Sequence, residues 1–164
     1  MKQTIITCLR GFVIPVFALI AMTGQAKKTI VWENPSVAYS AIPYFQIQKV
    51  EMTKEKTAMY VRMALLPGYG FRISKDSYLQ TNGKQYRIIG SDSIPLGGDY
   101  IVLDDSGMKD FVLHFKPLPL DTKEFDFLEG LAEGDYKVFG IHDKDYTMPP
   151  ASVPTEYMAD DDGD

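Results

Sequence analysis

The chain has 164 residues, 22 of them acidic and 17 basic, for a net charge of −5. That balance disfavours nucleic acid, whose phosphates demand a basic surface, and it equally disfavours electrostatic adhesion to anionic lipid. One cysteine, Cys8, and two histidines leave too few soft ligands for a zinc or copper centre and no Cys-x-x-Cys redox pair.

Residues 1–26 read as an export signal. Lys2 and Arg10 form a positive leading region, Gly11 to Met22 a short apolar run, and Gly24-Gln25-Ala26 a small-x-small cleavage site. The apolar run falls short of the roughly 20 residues that span a bilayer. Left uncleaved, the segment would serve as an anchor; once cleaved, it leaves no transmembrane segment. Cys8 precedes the apolar run and so is not placed for lipid attachment. Cleavage leaves 138 residues with 15 basic and 22 acidic side chains, a net of −7, and no cysteine. The expected location is therefore periplasmic or extracellular, with stability coming from packing without disulfides. A domain of this size buries about two thirds of its unfolded surface, and 10 Tyr and 9 Phe supply much of the apolar bulk.

Thr29 to Glu33 opens the domain as a short strand, stopped by Asn34-Pro35. Trp32, the sole Trp, reads as a core or rim anchor. Residues 36–44, small and including Pro43, read as a connection. Phe45 to Thr53 and Ala58 to Leu66 both alternate, and the polar Lys54-Glu55-Lys56-Thr57 joins them as a hairpin. On the first strand Gln48, Val50 and Met52 share a face; on the second, Met59, Val61, Met63 and Leu65 oppose Tyr60, Arg62 and Ala64. The methionines are expected to fill core gaps, since no His or Cys stands near to complete a soft-metal set.

Pro67-Gly68-Tyr69-Gly70 is a turn and Phe71 to Ile73 a brief strand. Ser77 to Thr81 and Lys84 to Gly90 flank Asn82-Gly83, which supplies the positive φ angles of a type I′ hairpin turn. Ile94 to Leu96 and Tyr100 to Leu103 read as further strands on either side of Gly97-Gly98, followed by a turn at Asp104-Asp105-Ser106-Gly107. The stretch from Phe111 to Ile141 then carries the clearest pattern. Phe111, Leu113 and Phe115 alternate with Val112 and His114, Phe125 and Phe127 flank Asp126, and Tyr136 to Ile141 closes the run. Residues 142–164 hold three prolines, no apolar period and five acidic side chains in the last nine positions, and read as a linker or disordered tail.

Nine short strands or so, with a turn signal about every ten residues and no convincing helix, predict an all-β fold. The expectation is an antiparallel β-sandwich over residues 27–141, immunoglobulin-like in general architecture, of about seven to nine strands. Alternation of apolar and polar positions argues against a parallel sheet.

Three segments carry a family resemblance. They are Phe111-Val112-Leu113-His114-Phe115-Lys116-Pro117-Leu118-Pro119 with Thr122, then Phe125-Asp126-Phe127-Leu128-Glu129-Gly130, then Tyr136-Lys137-Val138-Phe139-Gly140-Ile141. Together with Trp32-Glu33-Asn34-Pro35, Asp76-Ser77-Tyr78-Leu79 and Gly83-Lys84-Gln85-Tyr86, they resemble the N-terminal β-sandwich region of bacterial envelope proteins of the TlpA/ResA-like thioredoxin family. The similarity covers about residues 30–142. In those relatives the chemistry belongs to a downstream Cys-x-x-Cys pair, which has no counterpart in this sequence. The resemblance implies a fold, an exported location and an accessory role, and it transfers no catalytic residue.

The candidate chemical groups are few. Asp126 and Glu129 could form an acid–base pair, but their places in an alternating strand and at a turn favour accepting backbone N–H groups. His114 and His142 are each isolated in sequence, and neither is expected to act as a base or ligand. Asp160-Asp161-Asp162-Gly163-Asp164 lacks the alternating carboxylates and closing Glu of a calcium loop. Asp104-Asp105-Ser106-Gly107 has no nucleophile-elbow frame, and Gly97-Gly98 precedes a strand, not the helix of a phosphate loop. No catalytic, cofactor or metal residue is assigned. The expected function is a non-enzymatic exported accessory module that binds another envelope protein. The alternative is a carbohydrate- or small-ligand-binding sandwich using surface tyrosines, with Tyr60, Tyr69, Tyr86 and Tyr146 on outer faces or turns. A hydrolase or lyase with a carboxylate site is the third reading.

Overall fold

The computed structural model describes residues 28–130 and 134–149. The regular elements in them are strands throughout: β1 Ile30–Glu33, β2 Ser36–Ser40, β3 Phe45–Met52, β4 Thr57–Ala64, β5 Gly70–Phe71, β6 Tyr78–Thr81, β7 Lys84–Asp92, β8 Ile101–Val102, β9 Met108–Phe115, β10 Glu124–Leu128 and β11 Lys137–His142. Nine join in one antiparallel sheet, in the order β1-β3-β4-β9-β7-β6-β10-β11-β2, and β5 pairs with β8 as a separate ribbon. The large sheet curls, so that β1, β3, β4 and β9 face β6, β10, β11 and β2 across a shared interior. The all-β antiparallel sandwich expected from the alternation is the fold.

Two places carry the chain between layers. β7 pairs with β6 through Lys84 to Arg87 and with β9 through Ile88 to Asp92. The shift of register between Ile88 and Gly90 is where it changes partner, as a bulge bends a strand. At the other margin β1 pairs with β3 and β2 with β11, and Asn34 adopts φ 48° just before Pro35 to turn one into the other.

The interior is aromatic, as the composition requires. Phe127 is fully buried, stacked on Phe45 with ring centroids 5.1 Å apart and edge-on to Phe115 at 6.2 Å. Trp32 stacks on Phe125 at 5.6 Å and Phe71 on Phe111 at 5.4 Å. Offset and edge-on pairs of this kind add about 0.5–1.5 kcal/mol each beyond the area they bury. Met52, Met59 and Met63 are fully buried among them, as core filler.

Three sequence expectations need correction. Residues 36–44 contain a strand, β2, which its polar SVAYS composition conceals because it lies at the margin of the sheet and pairs only with β11. Ile94 to Leu96 is not a strand: Pro95 removes a ladder donor, and Ile94 instead pins a loop to the core. On β3 the inward face is Phe45 and Ile47, then Val50 and Met52. A register shift between Ile47 and Lys49 inserts one residue, so Gln48 does not share the Val50 face.

Asn82 and Gly83 both take positive φ, 48° and 70°, and close the β6–β7 hairpin as the Asn-Gly dipeptide predicts. The strand β11 runs to His142, and the segment after it lies over β11, with Tyr146 meeting the His142 ring edge-on at 6.0 Å. Residues 1–27, which hold the expected export signal, and 150–164, which hold the acidic end, lie outside the described residues.

Candidate functional site

The register of the strands decides where loops gather. Phe45 pairs with Met63, Ala64 with Met108, and Asp92 with Val112, while Leu128 pairs with both Tyr78 and Lys137. Loops 41–44, 65–69, 72–77, 93–100 and 103–107 therefore share one end of the sandwich with residues 129–130 and 134–136. The opposite end carries 53–56, the two-residue Asn82-Gly83 turn and the Pro-containing 116–123. Binding groups fall disproportionately on loops held by a rigid frame, and the first end is the loop-rich one.

A cleft of about 510 Å³ opens there, between loops 72–77 and 93–100 and the residues around Glu129 and Tyr136. Its floor is stapled by Glu129. One carboxylate oxygen accepts the Ser74 N–H at 2.5 Å, the other accepts the Tyr136 N–H at 3.4 Å, and the Glu129 N–H donates to the Tyr136 carbonyl at 2.9 Å. Burial pushes the Glu129 carboxyl above the usual glutamate range, an effect that the Ser74 and Tyr136 N–H groups oppose. The Gly97 N–H donates to the Ile73 carbonyl at 2.7 Å and ties the 93–100 loop to the same frame. Tyr136 packs edge-on against the core residue Phe45 at 6.2 Å, and burial pushes its hydroxyl up to about 12. At the rim the Arg72 guanidinium sits 5.2 Å from the centre of the Tyr100 ring, a cation–π distance.

Beside the cleft lies an apolar surface. Leu66, Tyr69, Tyr100 and Val102 are 67%, 61%, 61% and 65% exposed. They are neighbours through the backbone of the β5–β8 ribbon. Gly70 pairs with Val102, the Leu103 N–H donates to the Tyr69 carbonyl at 2.9 Å, and the Tyr69 N–H donates to the Leu66 carbonyl at 3.1 Å.

Of the residues singled out from sequence, Glu129 and the Gly97-Gly98 pair meet at the cleft, and Asp126, His114, His142 and Asp104 stand apart from it. Asp126 projects from β10 toward β11, where Oδ1 accepts the Gly140 N–H at 2.8 Å; burial pushes its carboxyl above the usual aspartate range. Both acids thus bind backbone N–H groups, on separate partners. His114 lies on the outer face of β9 with Nε2 2.8 Å from Asp92 Oδ2 and Nδ1 3.3 Å from Lys56 Nζ. His142 belongs to β11, its Nδ1 2.7 Å from the Gly140 carbonyl. Asp104 accepts the Ser106 N–H and hydroxyl within a turn, and the hydroxyl bond holds its carboxyl below the usual range. Gly97 and Gly98 line the cleft.

The four tyrosines named as a surface band occupy four different places. Tyr60 donates to Glu51 at 3.0 Å on the outer face of β4, with Lys49 Nζ 4.0 Å from its ring centre. Tyr86 is half-buried against the core, Tyr146 rests on His142, and Tyr69 alone belongs to the apolar surface. The aromatic residues that do converge, Tyr100 and Tyr136 with Arg72 beside them, come from loop 93–100, from the residues just before β11 and from the residue that follows β5. No local pattern in the sequence marks them.

Among the described residues no group of three or more His, Cys, Asp or Glu is placed to hold a metal ion, and no helix is long and apolar enough to cross a membrane. Comparisons with protein-family models, with curated proteins and with solved structures find no match to this chain.

Proposed function

We propose that this chain is an exported, non-enzymatic accessory module of the bacterial cell envelope that binds another envelope protein at its loop-rich end. The observation that carries the reading is the apolar surface on the β5–β8 ribbon. Four large side chains, Leu66, Tyr69, Tyr100 and Val102, on or directly flanking that short ribbon, are each more than 60% exposed. Scattered exposed apolar residues need no explanation, but several brought close along one stretch of backbone suit an interaction surface, and tyrosine is enriched where partners are anchored. Each ribbon strand pairs only with the other, so the ribbon also offers strand edges of the kind to which a partner strand adds. The non-enzymatic part of the reading is supported by the occupied state of the acids: Asp126 and Glu129 accept backbone N–H groups from β11, Ser74 and Tyr136.

A photo-crosslinking side chain placed at Val102 tests this, against the same group at Ile89, a residue 54% exposed on β7. In cells expressing the chain, the Val102 position should yield one discrete adduct with an envelope protein, and Leu66→Asp should abolish it. Equal adducts from both positions, or none from Val102, would remove the basis for the proposal.

A further inference from the structure

We infer that the cleft between loops 72–77 and 93–100 and Tyr136 is a binding site for a neutral saccharide, with the Tyr100 ring as its platform. The volume of about 510 Å³ falls inside the range of small-ligand sites, roughly 300–1,000 Å³. The charges that line it, Arg72 and Lys75 against Asp76, Glu129 and Asp135, nearly cancel. A polyanion would meet three carboxylates there, and a polycation two basic groups, so neither sign of charge is selected. A ligand that is neutral but dense in hydroxyls fits both sets, because each hydroxyl both donates and accepts and vicinal pairs match the fork of a carboxylate or guanidinium.

The aromatic component points the same way. Tyr100 is 61% exposed, with the Arg72 guanidinium 5.2 Å from the centre of its ring to hold it in place. A sugar's apolar C–H face covers such a ring while its edge hydroxyls reach polar neighbours. Gly97 and Gly98 both have positive φ, 68° and 77°, and a Cβ on either would meet nothing within 4 Å. The loop wall beside the ring is thus bare backbone, open to close approach. The frame is preorganised. Glu129 binds the N–H groups of Ser74 and Tyr136, and Gly97 is bonded to Ile73, so three loops are fixed before any ligand arrives.

Amide NMR titration of the chain with maltose, cellobiose, lactose and diacetylchitobiose, each separately, tests the inference. Inorganic phosphate and putrescine serve as charged comparison probes. At least one disaccharide should shift the amides of Ser74, Gly97, Gly98 and Tyr136 saturably. Tyr100→Ala should weaken that binding about tenfold, the equivalent of one lost aromatic contact, while its unperturbed spectrum away from the cleft reports an intact fold. Tyr69→Ala, outside the cleft, should leave the affinity unchanged. The inference is overturned if none of the four disaccharides moves these amides, if phosphate or putrescine binds there more tightly than every disaccharide, or if Tyr100→Ala binds as the parent does.

Discussion

Gly140 gives the sharpest quantitative test of the fold. Phe139 and Gly140 together oppose Asp126, because Phe125 pairs with Ile141 and Phe127 with Val138, so β11 carries one extra residue at this point. Gly140 takes φ +60°, and a Cβ there would lie 2.7 Å from the Ala38 Cβ and 2.8 Å from the Met148 Cε. An L-residue in the left-handed region costs roughly 1–2 kcal/mol. The Met148 methyl is the free end of a flexible side chain and can move aside, but the Ala38 Cβ is fixed to the backbone of β2, and overpacking of that kind costs about 1–3 kcal/mol. Gly140→Ala should therefore destabilise the chain by about 2–5 kcal/mol, a large share of a typical total of about 5–15 kcal/mol. Urea unfolding followed by the fluorescence of Trp32, buried against Phe125, reads this directly. With a slope of about 2 kcal/mol per molar, the midpoint should fall by on the order of 1–2.5 M. Adding Ala38→Gly should recover the contact part of the loss and leave the part due to φ. A Gly140→Ala midpoint within about 0.3 M of the parent, set against the roughly 1–2.5 M expected from that slope, would refute the reasoning.

Other expectations rest on separate contacts. Asp126 has its carboxyl raised above 3.8 by burial, so the folded chain holds that proton more tightly than the unfolded one. Its contribution is fully present below pH 3.8 and declines as pH rises through the folded value. Asp126→Asn, which keeps an acceptor for the Gly140 N–H, should flatten the stability profile above that pH, whereas Asp126→Ala should cost about 1–3 kcal/mol by orphaning the N–H. Phe127→Ala, at a fully buried position stacked on Phe45, should cost about 3–5 kcal/mol in the same urea assay. Arg62 meets Asp110 through two bonds, at 2.7 Å and 2.8 Å, yet both side chains are solvent-accessible. A double-mutant cycle on that pair should return at most about 1 kcal/mol, and less in high salt.

What could be read from the sequence is what depends on neighbours in the chain. The alternation of Phe111, Leu113 and Phe115 and of Phe125 and Phe127 identifies inward faces because a strand turns successive side chains to opposite sides. Asn82-Gly83 identifies a hairpin because its φ angles are a local property. The assignment of Asp126 and Glu129 as acceptors of backbone N–H groups likewise follows from one residue's place in an element, and the hydrogen bonds to Gly140, Ser74 and Tyr136 match it. Parity failed where one residue was inserted, at Gln48, since a period of two has no memory of a bulge. The cleft was illegible for a different reason. Arg72, Tyr100 and Tyr136 come from segments about 30 residues apart, and only the pairing of β6, β7, β9 and β10 brings their loops to one end.

The divided strand β7 has a mechanical consequence. Its first half belongs to one layer through β6 and its second to the other through β9, so the opening of one layer pulls on a strand that the other layer holds. Amides of β6 and β9 should therefore exchange with deuterium at a common limiting rate, and a clear gap between the two rates would show the layers opening separately.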